Sequence, residues 1–339
     1  LLPDVQESRA LARMLAMKAR YQVLKNDFAG AVQTVSDGLR LAKFIGQGET
    51  LIQKLVGTAF QSFMRDRITE MIATPGCPNL YWALSTIPRP LVDVSESVIW
   101  ELDNISRVLP VLAEAESAGW TDAQAAQKWS SVMKDLGALS TADFGSDEAS
   151  LALAIGSVTF AEEARKRLEA AGFPKANLQK LPAMQLVLID AGRELKRIGD
   201  DLGKAHLLPA HLGAAIVEQQ DDKFQQWLRE NRMSSMAAVI GGLLYPAVVQ
   251  AKAAETRTQM AYNRLMTVEA LRMHAEANDG KVPDSLEQLS PLPAMPGPYT
   301  GQPFEYKVET TDVAKVVTLT AAGPTNYQPL RVLRIRLSK

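Results

Sequence analysis

The residues of this chain first considered for catalysis or metal binding are three histidines, one cysteine and two Asp-Asp pairs. His206 and His211 lie five residues apart with Pro209 between them. A metal site needs ligands that converge, as histidines four apart do on a helix. A spacing of five turns the rings away from each other on a helix, and the proline puts both at a loop. Glu218, one face further on, would complete a two-histidine, one-carboxylate set. His274, between Leu271 and Ala277, reads as a half-exposed polar residue of a helix. Cys77 sits between Gly76 and Pro78 with no histidine nearby, and a lone cysteine forms no intramolecular disulfide, so it reads as structural. Asp200-Asp201 and Asp221-Asp222 would need to face another carboxyl for glycosidase-type work. Neighbours on a helix diverge by about 100°, so both pairs read as solvent-facing. The sequence holds no GxSxG, CxxC, GxGxxG or P-loop pattern. No catalytic residue, metal ligand or cofactor is assigned on this basis.

The candidate binding residues are Tyr81, Trp82 and Arg89. They surround a short predicted helix from Asn79 to Ile87, capped by the Asn79 side chain and stopped by Pro88 and Pro90. The aromatic pair and the arginine are of the types that anchor protein interfaces. The competing reading is that the two rings plug the end of a helix bundle.

The elements that must position these residues are mostly helical. The chain has 339 residues, 37 Lys+Arg against 38 Asp+Glu, and 47% hydrophobic residues. That charge balance lacks the cationic surplus needed to grip nucleic acid. The longest apolar run, Met236 to Val249, is too short to span a bilayer. Because the chain opens at Leu1, we expect a preceding signal peptide or N-terminal anchor. From Pro3 to about Ile72 the apolar residues recur at three and four, which predicts amphipathic helices broken at Lys25-Asn26-Asp27. Further helices are expected over Val94–Leu136, with Thr121 capping the last, then over Leu151–Ala171, ended by Gly172, and from Pro182 on. Leu139–Ser150 reads as a loop. The charged run Glu162 to Arg167 reads as a solvated face. A helix from Pro246, in its first turn, to Ala277 carries an alanine-rich stripe. Three short strands are predicted over Phe304–Val308, Val316–Thr320 and Val332–Leu337, the last with a basic edge of Arg331, Arg334, Arg336 and Lys339.

The fold class is therefore mainly α: a multi-helix array or bundle, with one long C-terminal helix and a small antiparallel sheet. A division into a helical domain, 1–245, and a long helix plus β module, 246–339, follows.

Three stretches resemble known families. Ala19, Phe28, Ala31 and Val35 resemble one tetratricopeptide-type helix hairpin within residues 1–72. The long helix, Asn278-Asp279-Gly280-Lys281-Val282-Pro283 and Thr300-Gly301-Gln302-Pro303-Phe304 resemble the soluble part of type II secretion pseudopilins. Together with Asn79-Leu80-Tyr81-Trp82, Leu181-Pro182-Ala183-Met184 and Leu244-Tyr245-Pro246, they resemble a family of exported bacterial proteins to which no activity is attached. The resemblance implies an exported, periplasmic or envelope-associated location. The leading expectation is a non-enzymatic interaction or scaffolding protein of the bacterial envelope with a protein partner, without nucleic acid, and touching membrane only through an N-terminal anchor. The alternatives are a hydrolase using His206, His211, Glu218 or the Asp pairs, and a small-ligand or lipid carrier with an apolar pocket between helices.

Overall fold

The computed structural model describes residues 3–117, 119–139, 160–310, 314–321 and 332–338. The protein is mainly α, with a small antiparallel sheet near its C-terminus. The chain divides into two compact units. The first comprises Leu1–Ser97, Leu208–Ile216 and Ala251–Lys339, and the second Val98–Leu207 and Val217–Gln250. No described helix is long and apolar enough to cross a membrane.

The first unit opens with α1 (Pro3–Leu24), α2 (Phe28–Ile45) and α3 (Leu51–Ala73), each packed against the other two. Asn26 takes the left-handed conformation at φ 58° to turn the chain, and the Asp27 carboxylate caps α2 by accepting the Gly30 N–H at 2.9 Å. Thr50 and Gln53 form a reciprocal capping box at α3. The residues read as a hairpin contact lie in this packing: Ala19, Ala31 and Val35 are buried in one apolar cluster, and Phe28 lines it. Between α2 and α3 a Cβ on Gly57 would fall 2.7 Å from the Ala42 carbonyl oxygen. Glycine there lets the two backbones meet.

The short helix α4 (Tyr81–Ser85) follows, and then the start of α5 (Ser95–Val108). The unit is completed by the later part of α12 (Met236–Ala277) and by strands β1 (Glu305–Thr310), β2 (Ala314–Thr320) and β3 (Val332–Ser338) in the order β1-β2-β3. The register sets Tyr306 opposite Leu319 and Val308 opposite Val317, with Leu333 and Ile335 continuing the same rows on β3. These alternate residues gather with Met260, Val268 and Leu271 of α12 in a second apolar cluster, the period-two burial of a one-sided sheet. On its other flank, α12 sends Tyr262, Leu265, Met266 and Ala270 into the cluster shared with α2 and α3.

The second unit holds the rest of α5, then α6 (Val111–Ser117), α7 (Asp122–Leu139), helical residues 160–170 as α8, α9 (Lys175–Leu178), α10 (Ala183–His206), most of α11 (Ala210–Asn231) and the first turns of α12. Its axis is α10, which buries Leu186 to Ile189, Leu195, Ile198 and Leu202. Buried Gln185 donates to the Ala115 carbonyl at 2.9 Å, and the Tyr245 hydroxyl donates to the Leu195 carbonyl at 2.7 Å. As expected, Thr121 caps α7, its hydroxyl accepting the Gln124 N–H, and Gly172 takes a positive φ after α8.

Three local expectations change. Pro246 lies well inside α12 and not in its first turn, because the preceding run is itself helical: Met236, Ala237, Ile240 and Tyr245 are buried. That burial outweighs the roughly 3 kcal/mol an interior proline costs a helix. Arg167, read as part of a solvated face, turns inward and grips buried Asp190 with two nitrogens, at 3.0 and 2.7 Å. The short helix after Asn79 spans only Tyr81–Ser85. The predicted loop at 140–150, the helical stretch 151–159 and the side chains of Arg331, Arg334, Arg336 and Lys339 lie outside the described residues.

Candidate functional site

The site is built on the segment from Cys77 to Ser95, which α12 fixes from behind. Glu269 of α12 is fully buried. One carboxylate oxygen accepts the Leu80 N–H at 2.7 Å and the other takes the Arg272 guanidinium at 2.6 Å. Arg272 also donates to the Cys77 carbonyl at 2.8 Å, and the Asn79 side chain donates to the Glu269 carbonyl at 2.8 Å. The Asn79 side-chain oxygen accepts the Tyr81 N–H at 3.0 Å, but the N-cap position is Leu80, one residue later than the sequence suggested.

Four helical turns earlier, Glu255 repeats the device. It accepts the Val94 N–H at 2.8 Å and the Lys252 ammonium at 2.7 Å. Lys252 also donates to the Ser95 hydroxyl at 3.2 Å. Burial pushes the carboxyl pKa of Glu255 and of Glu269 above the ordinary range, against the pull of Lys252 and Arg272 respectively. Both ends of the segment are thus held by buried, charge-assisted hydrogen bonds, which are stronger than neutral ones.

The opposite side of the segment is apolar and open. Leu84 and Ile87 face Val35 and Leu39 of α2 and Ile68 and Met71 of α3 across a groove of about 420 Å³, with Arg40 and Lys43 on one lip. Arg40 also reaches Asp37 at 3.4 Å.

The three sequence candidates separate here. Tyr81 is buried, its hydroxyl donating to the Pro293 carbonyl at 3.1 Å, and desolvation raises its pKa. Arg89 is half-buried, donating to the Leu84 carbonyl at 3.1 Å and meeting the Met266 sulfur. Burial lowers its pKa. Trp82 alone is presented, 65% exposed, edge-on to Tyr81 with centroids 5.7 Å apart and next in sequence to Ala83, which lines the groove. Tyr81 and Arg89 therefore hold the segment in place, and Trp82 stands exposed beside the lining.

The catalytic alternatives are divided between the two units. His206 ends α10 in the second unit, buried with Nδ1 2.7 Å from the Leu202 carbonyl. His211 is an exposed residue of the first unit, set against Gly301. Glu218 belongs to the second unit. Among the described residues no three His, Cys, Asp or Glu side chains are placed to hold a metal. Asp200, Asp201 and Asp222 are exposed, and Asp221 is half-exposed. Cys77 is buried, and desolvation raises its thiol pKa, the opposite of what a nucleophile needs. His274 is half-exposed, with Nδ1 accepting the Ser290 N–H at 3.4 Å.

Lys252, Glu255, Glu269 and Arg272 were not singled out from the sequence. Their only signal is an i,i+3 pairing, which also marks exposed helices. Comparison with protein-family models, with curated proteins and with solved structures finds no match.

Proposed function

We propose that this protein is a non-enzymatic interaction protein of the bacterial envelope whose groove takes an apolar segment of a protein partner. The observation that carries the reading is the groove of about 420 Å³ between α2, α3 and the Cys77–Ser95 segment, apolar on its floor and cationic on one lip. A fitting segment carries two or three large apolar side chains and a carboxylate opposite Arg40 and Lys43. Trp82 is of the residue type that most often anchors interfaces, and the buried ties to α12 hold the wall in place before a partner arrives. Preorganisation of this kind lowers the cost of binding. The envelope location rests on the sequence resemblances and is checked by fractionating cells that make the full-length protein.

The test of the groove is native co-purification from that fraction with three proteins: wild type, Ile87→Asp and Trp82→Ala. A stoichiometric protein partner present with wild type, lost with Ile87→Asp and weakened with Trp82→Ala supports the reading. A partner retained by Ile87→Asp places binding elsewhere. Removing residues 278–339 is a poor test, since Leu286, Leu292 and Phe304 belong to the core of the first unit.

One observation favours a second reading. The groove exceeds the roughly 300 Å³ at which small-ligand pockets begin, so the carrier alternative uses the same walls for an apolar anion such as a fatty acid. Mass spectrometry of lipid extracted from the purified protein separates the two: a bound lipid lost in Ile87→Asp, with no protein partner, selects the carrier.

A further inference from the structure

The outer face of α1 carries a feature that the groove does not use. Met14, Met17, Tyr21 and Leu24 are 56%, 64%, 62% and 70% exposed, although the opposite face of the same helix buries Ala12, Ala19 and Val23. Their spacing is three, four and three, extended one step back by exposed Ala10. At about 100° per residue these five side chains fall within about 40° on either side of one line along the helix. That is the narrow a/d stripe of a coiled-coil seam, narrower than the stripe of 100° or more that a surface helix buries against a core.

Leu11, 40% exposed, heads one border of the seam, and the border positions after it are cationic. Arg13 and Arg20 run along one side and Lys18 and Lys25 along the other, and from Ser8 to Asn26 there is no acidic residue. All four are exposed; Arg20 also reaches Glu70 at 3.3 Å, and Lys25 lies over the Tyr21 ring at 5.8 Å.

This charge pattern chooses the occupant. A second copy of α1 would set these cations against each other in either direction, since parallel helices pair g with e positions and antiparallel helices pair like with like. An anionic lipid surface would satisfy the cations, but an in-plane helix needs a broad apolar face along its length, and here the seam is two residues wide from Met14 to Leu24, with Leu11 widening it only at the first turn. We propose that α1 is a docking strip for an amphipathic helix of a partner protein with apolar residues at its a and d positions and Asp or Glu at its e and g positions. The strip is independent of the groove, so either assignment stands if the other fails.

The test uses the intact protein and a fluorescein-labelled peptide of three heptads with Leu at a and d and Glu at e and g, followed by anisotropy. A matched peptide with Lys at e and g and vesicles of phosphatidylcholine with phosphatidylglycerol are the comparison arms. The expected result is binding of the Glu peptide at least tenfold tighter than the Lys peptide, weakening with salt. Met17→Glu should weaken it at least tenfold, and Arg13→Glu with Lys18→Glu, which leaves two cations against two carboxylates, should abolish the preference between the peptides. All three positions are exposed, and circular dichroism should show each variant folded. Equal binding of both peptides, or binding of the Glu peptide that Met17→Glu and the double reversal leave unchanged, overturns the proposal. Vesicle capture abolished by Met17→Glu without peptide binding replaces it with a membrane-facing strip.

Discussion

The Cys77–Ser95 segment has two sides governed by different physics. Towards α12 it is held by directional bonds to Glu255 and Glu269; towards α2 and α3 it offers an apolar wall to a groove. Directional bonds fix where the wall stands, and apolar contact leaves open what may rest against it. Stability and binding should therefore respond to different substitutions on the two sides of the same segment.

The largest effect is expected at Glu255. Glu255→Ala leaves Lys252, only 8% exposed, as an unpaired buried charge, which costs about 3–5 kcal/mol; urea unfolding at neutral pH measures it. Replacing the pair together by Lys252→Met and Glu255→Leu should recover most of that loss, leaving mainly the orphaned Val94 N–H at about 1–3 kcal/mol. If the double variant is no better than Glu255→Ala, the buried-charge account is wrong.

Glu269→Ala should cost less, about 1.5–3 kcal/mol, the range for a hydrogen bond to a charged group. Its partner Arg272 is 27% exposed and can turn to water. Equal losses at the two glutamates would remove the distinction between a sealed and a vented ion pair.

Gly57→Ala should come next, at about 1–3 kcal/mol of overpacking, since the new methyl meets the Ala42 carbonyl oxygen and cannot push backbone aside. An unchanged unfolding midpoint would show that α2 and α3 separate easily.

A pH series sharpens the Glu255 end. Its folded-state pKa is raised above the ordinary 4.5 by burial, so the native state binds a proton that the unfolded chain releases. The associated stability is full below pH 4.5 and is lost as pH rises through the folded-state value. Wild type should thus lose stability relative to Glu255→Gln over that window, and parallel curves would count against a raised pKa.

The smallest stability change belongs to Trp82→Ala, within about 0.5 kcal/mol for an exposed side chain, while partner capture falls. A loss of stability without loss of capture would turn Trp82 from anchor into packing.

What the sequence made legible was local. Strand positions, the Thr121 cap and the Gly172 terminus are set within a few residues, and the structure places them where periodicity and capping rules put them. Pro246 misled because its propensity is local while the burial of Met236 to Ile240 is tertiary. Tyr81, Trp82 and Arg89 looked like one surface because they are close in sequence, but each residue of a helical turn points about 100° from the last, so one aromatic went in and its neighbour out. The buried glutamates were invisible for a related reason. An i,i+3 ion pair reads the same whether its helix faces water or lies between two apolar clusters, and only the long-range partners Leu80 and Val94 distinguish the cases.

Those partners also set an order of events during synthesis. Leu80 and Val94 wait for acceptors 189 and 161 residues further along the chain. At roughly 5–20 residues per second, that is an interval of roughly 10–40 s in which α1, α2 and α3 exist while the residues that fix the segment after them have yet to be made. A nascent chain in that interval carries the groove's apolar floor without its wall, and is the stage at which a holding chaperone has most to cover.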